Sequence, residues 1–340
     1  MRILLVSQMY PSLADPDLGA FVALVEQELA AQGHEIRRAV IDHRGGPPTK
    51  HAGLTRDAIV GARRFGPDVV YAHFLVPAGT AGALAAAAGG VPLVLTAHGT
   101  DVENAERSAV LRAVTRATVA RAANVIAVSQ HLADRLVAVV PEARAKTEVI
   151  DCGVDLRVFS PREAGPAREA LGWSGDGPFV VCAGSLVERK NVRRLADAFA
   201  QLGGGQLAFV GDGPLAAQLA ARPGIRVTGR LAHAEVAPWL AAADVVAQPS
   251  LREPFGQVTL EGMAMARSVV ATRVGGPPEF VPPGAGVLID PTRTDDLVRG
   301  LREALALPSP NPAARAAAID HGSERQAARI AAVLLRTTSG

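Results

Sequence analysis

Aromatic residues are scarce in this 340-residue chain: Phe, Trp and Tyr together make up 4%. Proteins that hold nucleic acid by stacking need aromatic side chains set among clustered cations. A formal net charge of +2 supplies no such basic stripe, so nucleic acid is not an expected partner. Cysteine is nearly missing as well. Cys152 and Cys182 lie far apart, each among apolar neighbours, and read as small buried residues rather than as a disulfide or metal ligands. No apolar run approaches the ~18 residues of a membrane span. The longest candidate, "LAAAAGGVPLVL", is broken by its glycines and by Pro92. The opening "MRILLVSQMYP" holds one short apolar run and reads as a first strand, not a signal peptide. A cytoplasmic protein is expected. The G-x-G-x-x-G that a nicotinamide-dependent oxidoreductase needs after a first strand is missing too; "GDGPLA" lacks the third glycine.

What the chain does have is a regular alternation. Hydrophobic residues make up 49% and charged residues 20%, enough for ordinary buried cores, and the length suits two domains. Short apolar runs alternate with helical patterns, the mark of stacked βα units and parallel sheets. In the first half the expected strands are 3–6, 35–41, 69–72, 93–96 and 125–128, with one more short strand after Glu148. A helix over 21–32 carries Val22, Val25 and Leu29 on one face and ends at Gly33. In the second half the expected strands are 179–183, 207–210, 225–228, 245–248 and 269–271. The stretch "EVIDCGVDLRVFSPREAG" between the halves is rich in turn residues and marks the boundary. The expected division is 1–157, 158–312, and an Ala-rich helix over 313–340 that packs back on the first domain.

In open parallel sheets, ligands sit beyond the carboxyl ends of the strands. In the second half the loops there are "GSLVERKN", "GDGP", "GRL", "PSLREPFG" and "RVGGPPE". Arg189 and Lys190 follow Gly184 near a helix start, where two adjacent cations suit a diphosphate, although a solvated helix start would look the same. Glu253 and Glu261 have seven residues between them, with the helix expected to begin near Gly256 after Pro254. One carboxylate would stand at the helix mouth and the other about two turns inside. The N–H groups of Gly256, Gln257 and Val258 would be free for phosphate or sugar hydroxyls. The pair reads either as the two ends of a nucleotide-sugar site or as an acidic first turn plus one exposed or paired Glu. In the first half, Gly19 precedes a helix, "HGTD" with His98 follows the fourth strand, and "AHFLVPAG" with His73 follows the third. "DPD" at 15–17 reads as a turn and not as a metal site. Arg112, Arg116 and Arg121 are spaced for one helix face, which either rests on anionic lipid or is an ordinary exposed face.

Taken together, "HGTD", "CGVDLRVF", "GSLVERKN", "VGDGP" and the Glu253–Glu261 spacing around "PFG" resemble the retaining glycosyltransferases of family 4 along nearly the whole chain. The resemblance implies an α/β protein of the GT-B fold: two Rossmann-like domains whose parallel sheets face a central cleft. It implies hexose transfer from a nucleoside-diphosphate sugar, UDP ahead of GDP, to a hydroxyl acceptor that is a glycan, a lipid-linked sugar or a small metabolite. Catalytic roles fall to His98, Arg189, Lys190 and Glu253. Glu261 would take the ribose hydroxyls, Gly229 and Leu231 would border the base, Gly19 would lie against the phosphates or the acceptor, and Gly184 would belong to the donor-binding set. Gly256, Gln257 and Val258 would add backbone donors. No metal or cofactor is implied, since Arg189 and Lys190 stand in the electrostatic place of a cation. A peripheral position at the inner membrane face fits a lipid-linked acceptor. Asn191 and Ser185 depart from the family, which commonly has Gly and Arg at these places. A non-catalytic nucleotide-sugar binder is the alternative.

Overall fold

In the computed structural model, residues 1–173 and 175–338 are described. The chain divides into two compact units: Met1–Gly153 together with the chain from Ser323 on, and Val154–Gly322. The first unit runs β1 (Arg2–Ser7), α1 (Ala20–Ala31), β2 (Glu35–Val40), α2 (Lys50–Phe65), β3 (Val69–His73), α3 (Ala78–Gly89), β4 (Leu93–Ala97), α4 (Thr100–Arg107), α5 (Ala109–Arg121), β5 (Asn124–Ala127), α6 (Gln130–Val139) and β6 (Thr147–Val149). The second runs α7 (Ala164–Ala170), β7 (Phe179–Ala183), α8 (Val192–Ala200), β8 (Gln206–Val210), α9 (Ala216–Ala220), β9 (Ile225–Val227), α10 (Val236–Ala242), β10 (Val245–Gln248), α11 (Gln257–Ala264), β11 (Ser268–Thr272), β12 (Gly286–Ile289), α12 (Thr294–Leu305) and α13 (Pro312–Ile319). The last helix, α14 (Ser323–Thr338), belongs to the first unit.

Each unit is built on a six-stranded sheet, in the orders β2-β1-β3-β4-β5-β6 and β12-β11-β10-β7-β8-β9, with every pairing parallel. Parallel strands need helical crossovers, so helices cover the sheet faces and the inner strands read as unbroken apolar runs. Val69–His73, Leu93–Ala97, Phe179–Ala183 and Ser268–Thr272 are buried at every position. The edge strand β2, "EIRRAV", is mostly exposed and carries the two arginines such an edge tolerates.

Two elements differ from the sequence reading. The strand β12 lies at the edge beside β11 and was not expected; it is four residues long and follows a Pro-Pro-Gly turn that hides its short apolar run. The tail expected as one helix over 313–340 is two. α13 is capped by the Asn311 side chain, which accepts from the Ala314 N–H, and it packs on α11 in the second unit. Arg315 reaches the Ala264 carbonyl there. Residues 320–322 turn the chain, and only α14 joins the first core, placing Ile330, Val333 and Leu334 against Val25, Leu29 and Tyr71. Its polar face is tied down at Asp151 by Arg329 and at Glu148 by Arg336.

In both sheets the strand order reverses once. The reversal lies between β1 and β3 in the first unit and between β7 and β10 in the second. The loops leaving two such neighbours diverge to opposite faces and open a crevice at the strands' carboxyl ends.

Candidate active site

In the second unit the two loops at the reversal are stitched together. After β7 the chain forms a single 3₁₀ turn, Glu188–Lys190, and then passes through Asn191 at φ 59°. That left-handed backbone is why glycine is usual at such a place and why asparagine serves as well. The Asn191 amide donates to the carbonyls of Pro249 (3.1 Å) and Pro291 (2.7 Å), and the Leu251 N–H donates to the Arg189 carbonyl (2.9 Å). This clasp, made by the Asn191 side chain and one backbone hydrogen bond, sets Lys190 beside Glu253, with Nζ 2.7 Å from Oε2. The Ser250 hydroxyl donates to the same oxygen at 2.8 Å. Glu253 is 7% exposed. Burial by itself would raise its carboxyl, but the Lys190 charge and hydrogen bond, then Ser250 and the Arg189 charge, outweigh it and hold the group below the usual carboxylate range. Arg189 is placed differently from its neighbour. Its guanidinium donates to the Arg252 carbonyl at 3.1 Å.

The Glu253 backbone is fixed from behind. Gly275 forms a single bridge with it, and the Gly276 N–H donates to its carbonyl at 2.9 Å. A Cβ on Gly275, at φ 109°, would stand 1.9 Å from that carbonyl oxygen, so no other residue fits. Pro254 and Phe255 then lead to Gly256, the N-cap of α11. The N–H groups of Gln257 and Val258 lie in the first turn, where no intrahelical acceptor exists. Because α11 starts at Gln257, Glu261 stands just over one turn inside, not the two turns expected from sequence. It is 1% exposed, and its Oε1 lies 2.7 Å from Nε2 of His233, a residue that sequence spacing gave no reason to choose. Burial pushes the His233 imidazole down, but Glu261 and then Asp155 more than offset this and raise it. His233 follows β9 on the loop that carries Gly229 and Leu231. Gly184 and Gly229 both face open space where a side chain would stand.

In the first unit Gly19 lies on the loop after β1 and His73 ends β3, both at the reversal, while His98 lies on the loop after the neighbouring β4. Gly19 caps α1 at φ 68°, and a Cβ there would stand 2.6 Å from the Met9 carbonyl oxygen. Its own chain therefore already demands the glycine. His98 is held through its backbone: the Asp101 carboxylate accepts from the N–H groups of Leu75, His98, Gly99 and Val102. One buried carboxylate thus ties the loop after β3 to the loop after β4. Burial raises the Asp101 carboxyl, against those four hydrogen bonds. The His98 ring sits against Phe21 and Phe74, each with ring centroids 4.7 Å away. Phe74 has φ 76°, a conformation that costs a bulky residue about 1–3 kcal/mol and persists where packing over-determines it.

The Asp15-Pro16-Asp17 segment is more than a turn. Arg44, from the loop after β2, donates to Asp15 (2.7 Å) and, through both terminal nitrogens, to Asp17 (2.9 and 2.8 Å), while its N–H donates to Asp15 (2.8 Å). Two of the three arginines read as a helix face are also engaged: Arg112 donates to the carbonyls of Ala105 and Glu106, and Arg116 pairs with Glu142. Among the described residues, no helix is long and apolar enough to cross a membrane. Cys182 is 2% exposed, and burial pushes its thiol up to about 12.

Comparison with known proteins bears on both units. Residues 18–158 match the family model described as Glycosyltransferase Family 4, and residues 177–306 match Glycosyl transferases group 1. A D-inositol 3-phosphate glycosyltransferase of Catenulispora acidiphila is 34% identical over 289 residues, covering 75% of this chain and 68% of that protein. The chain spans between 60% and 68% of the length of the first curated relatives it matches. Among solved structures, a sucrose-phosphate synthase from Thermosynechococcus elongatus aligns with a TM-score of 0.84 at 23% identity, over 99% of this chain and 98% of that one. Anabaena HepE, in complex with UDP-glucose, aligns with a TM-score of 0.79 at 23% identity, over 99% and 100%. At such identities the likeness is one of fold.

Proposed function

This chain belongs to the family 4 glycosyltransferases, with the GT-B fold, and from that premise we propose that it moves a hexose from a UDP-sugar to a hydroxyl acceptor with retention at the anomeric carbon. The observation that carries the reading is the paired arrangement at the β7/β10 reversal. Lys190 and Glu253 lie 2.7 Å apart there, and the first turn of α11 leads from them to Glu261. Glu253 would accept hydroxyls of the donor sugar beside the reacting carbon. Lys190, Arg189 and the N–H groups of Gly256, Gln257 and Val258 would meet the diphosphate, where charge grows as the leaving group departs. Glu261 would take the ribose hydroxyls, and His233 would then share or yield its oxygen. Gly184 would let the diphosphate approach the backbone, Gly229 and Leu231 would border the base, His98 of the first unit would contact the donor sugar, and Gly19 would lie against the phosphates or the acceptor.

The proposed route is front-face. The bond from the anomeric carbon to the leaving phosphate oxygen breaks as the bond to the acceptor oxygen forms. The acceptor's proton passes to the departing diphosphate, so no protein nucleophile is required. The chain's own contribution is positioning and stabilisation of the leaving charge. Neither a metal nor a further cofactor is assigned a part. The acceptor is proposed to be a sugar or polyol hydroxyl, a small metabolite included, and the reaction to take place in the cytoplasm, at the inner membrane face if the acceptor is lipid-linked.

A thermal-shift panel of UDP, GDP, ADP and their glucose and mannose conjugates tests the donor side. Stabilisation by a UDP-sugar above the others is expected. So is slow release of UDP from it, lost by about 100-fold or more in Lys190→Ala and Glu253→Ala. Near-normal turnover in both variants would sink the assigned roles, and binding without any release would leave a nucleotide-sugar binder.

A further inference from the structure

His73, which is buried, and His98, which is half-buried, form a pair whose second member has been given a place but whose first has not. The rings stack with centroids 5.3 Å apart and an interplanar angle of 18°. Nδ1 of His73 lies 3.1 Å from Nε2 of His98. His73 is 1% exposed, and its other nitrogen, Nε2, is buried without a hydrogen-bond partner. Burial pushes the His73 imidazole down to about 3, and burial and then His73 lower His98 well below its usual value, so both rings are neutral near pH 7.

A neutral imidazole carries one N–H, so the contact has two solutions. If His98 donates from Nε2, the His73 proton must sit on its own Nε2, as a buried N–H with no acceptor. If His73 donates from Nδ1, what remains at Nε2 is a bare ring nitrogen. Orphaned buried donors are the rarer and costlier of the two. We infer that His73 donates its Nδ1–H to Nε2 of His98 and locks His98 in the Nδ1–H tautomer, which makes His73 a positioning residue for the histidine assigned to the sugar.

The consequence for the chemistry is definite. With Nε2 taken by His73, the ring nitrogen left for a ligand is Nδ1, and it carries a proton. His98 then hydrogen-bonds to a sugar oxygen as a neutral donor, and it cannot take the acceptor's proton. That agrees with a route in which the leaving diphosphate takes it. Phe21 and Phe74 grip the His98 ring, which keeps the two nitrogens from exchanging places. A cavity of about 10 Å³ adjoins Tyr71, His73, Thr96 and His98, at the lower limit for one water. A water accepting from His73 Nε2 there would invert the tautomers, and the experiment reads that inversion directly. The sugar-facing role rests on the transferase reading above, whereas the tautomer does not.

The test uses long-range ¹H–¹⁵N spectra of the imidazoles in the full chain, as wild type, His73→Phe and His73→Asn, with His98 assigned by its absence in His98→Asn. Phe keeps the stacked ring but donates nothing. Asn donates from about the Nδ1 position but lacks the ring. Wild type is expected to show His98 protonated at Nδ1 and bare at Nε2. His73→Phe should release His98 to the Nε2–H form and slow UDP release from UDP-glucose about tenfold or more, the usual cost of removing an outer hydrogen-bond partner. The donor KM should stay within about twofold, since the lost interaction acts on turnover. His73→Asn should keep both the tautomer and most of the turnover. Protonation of wild-type His98 at Nε2 would overturn the proposal, and so would a His73→Phe variant with unchanged tautomer and rate. Equal losses in Phe and Asn variants would overturn it too, by showing that the ring merely packs. If His73→Phe does not fold, the wild-type spectrum decides alone. If no form releases UDP from UDP-glucose, the donor assignment fails while the spectra still settle the pair.

Discussion

Replacing Lys190 by Met would leave Glu253 buried with one neutral partner, the Ser250 hydroxyl, in hydrogen-bonding reach. The side chains of the pair are 16% and 8% exposed, so solvent does little to replace the lost ammonium. Truncating one partner of such a pair costs about 3–5 kcal/mol. Protonation limits the penalty within that range, because Glu253 can take a proton instead of remaining charged. Raising a carboxyl from its ordinary 4.5 to ionise only at pH 7 costs about 3.4 kcal/mol, at 1.36 kcal/mol per unit. A loss of about 3 kcal/mol at pH 7 is therefore expected. In wild type the depressed Glu253 contributes stability above pH 4.5 that is lost as pH falls through its folded value. In Lys190→Met the sign reverses: the folded carboxyl lies above 4.5, so stability rises by up to about 1.4 kcal/mol per unit as pH falls from 7 toward 4.5. The chain has two tryptophans, Trp173 and Trp239, and both lie in the second unit. Urea titration followed by tryptophan fluorescence thus reads the unit that holds the pair. Lys190→Met/Glu253→Gln should recover most of the loss. A single variant that loses less than about 1 kcal/mol at every pH, or a double variant that is merely additive, would refute the buried-pair reasoning.

Gly275→Ala forces a Cβ to within 1.9 Å of the Glu253 carbonyl oxygen; a loss of about 3 kcal/mol or more is expected in the same fluorescence titration, together with loss of the UDP-sugar thermal shift. His73, depressed to about 3, favours the fold above pH 6.5 and opposes it below; between pH 6.5 and 5 it should remove about 2 kcal/mol from the first unit, so His73→Phe should show a slope shallower by that amount, with the part due to His98 remaining, when followed by near-ultraviolet circular dichroism. Arg44→Met unties the loops after β1 and β2; because its partners are partly exposed, about 1 kcal/mol is expected from the first unit, with the UDP-sugar thermal shift unchanged.

The two sheets were legible because parallel strands are buried on both faces and therefore spell themselves out as apolar runs between helical patterns. The loops of the site were legible for a related reason: topology sends polar residues to the strands' carboxyl ends, and Gly184, Lys190, Gly229 and Glu253 all stand in the loops that leave those ends. What the sequence hid is which of these side chains meet. Lys190 and Glu253 are 63 positions apart and His233 and Glu261 are 28 apart, and no local pattern encodes such pairings. Asp101 and Arg44 were passed over because a carboxylate in a first helical turn and an arginine in a Gly-Pro loop both have ordinary local explanations. The helix break at 320–322 was missed because alanine-rich sequence reads as helix on either side, and only packing decides where it turns.

The return of α14 to the first unit has a consequence for the order in which the protein can be made. Ile330, Val333 and Leu334 complete a core whose other side is laid down by Ile3, Val25 and Leu29. On a ribosome, that half of the molecule waits with an open apolar face until the whole of the second unit has been synthesised. In chain order the second unit is an insertion within the first. Ending translation at Gly322 would spare the unit just finished and strand the one begun earliest, exposing Val25 and Leu29 to water and to chaperones.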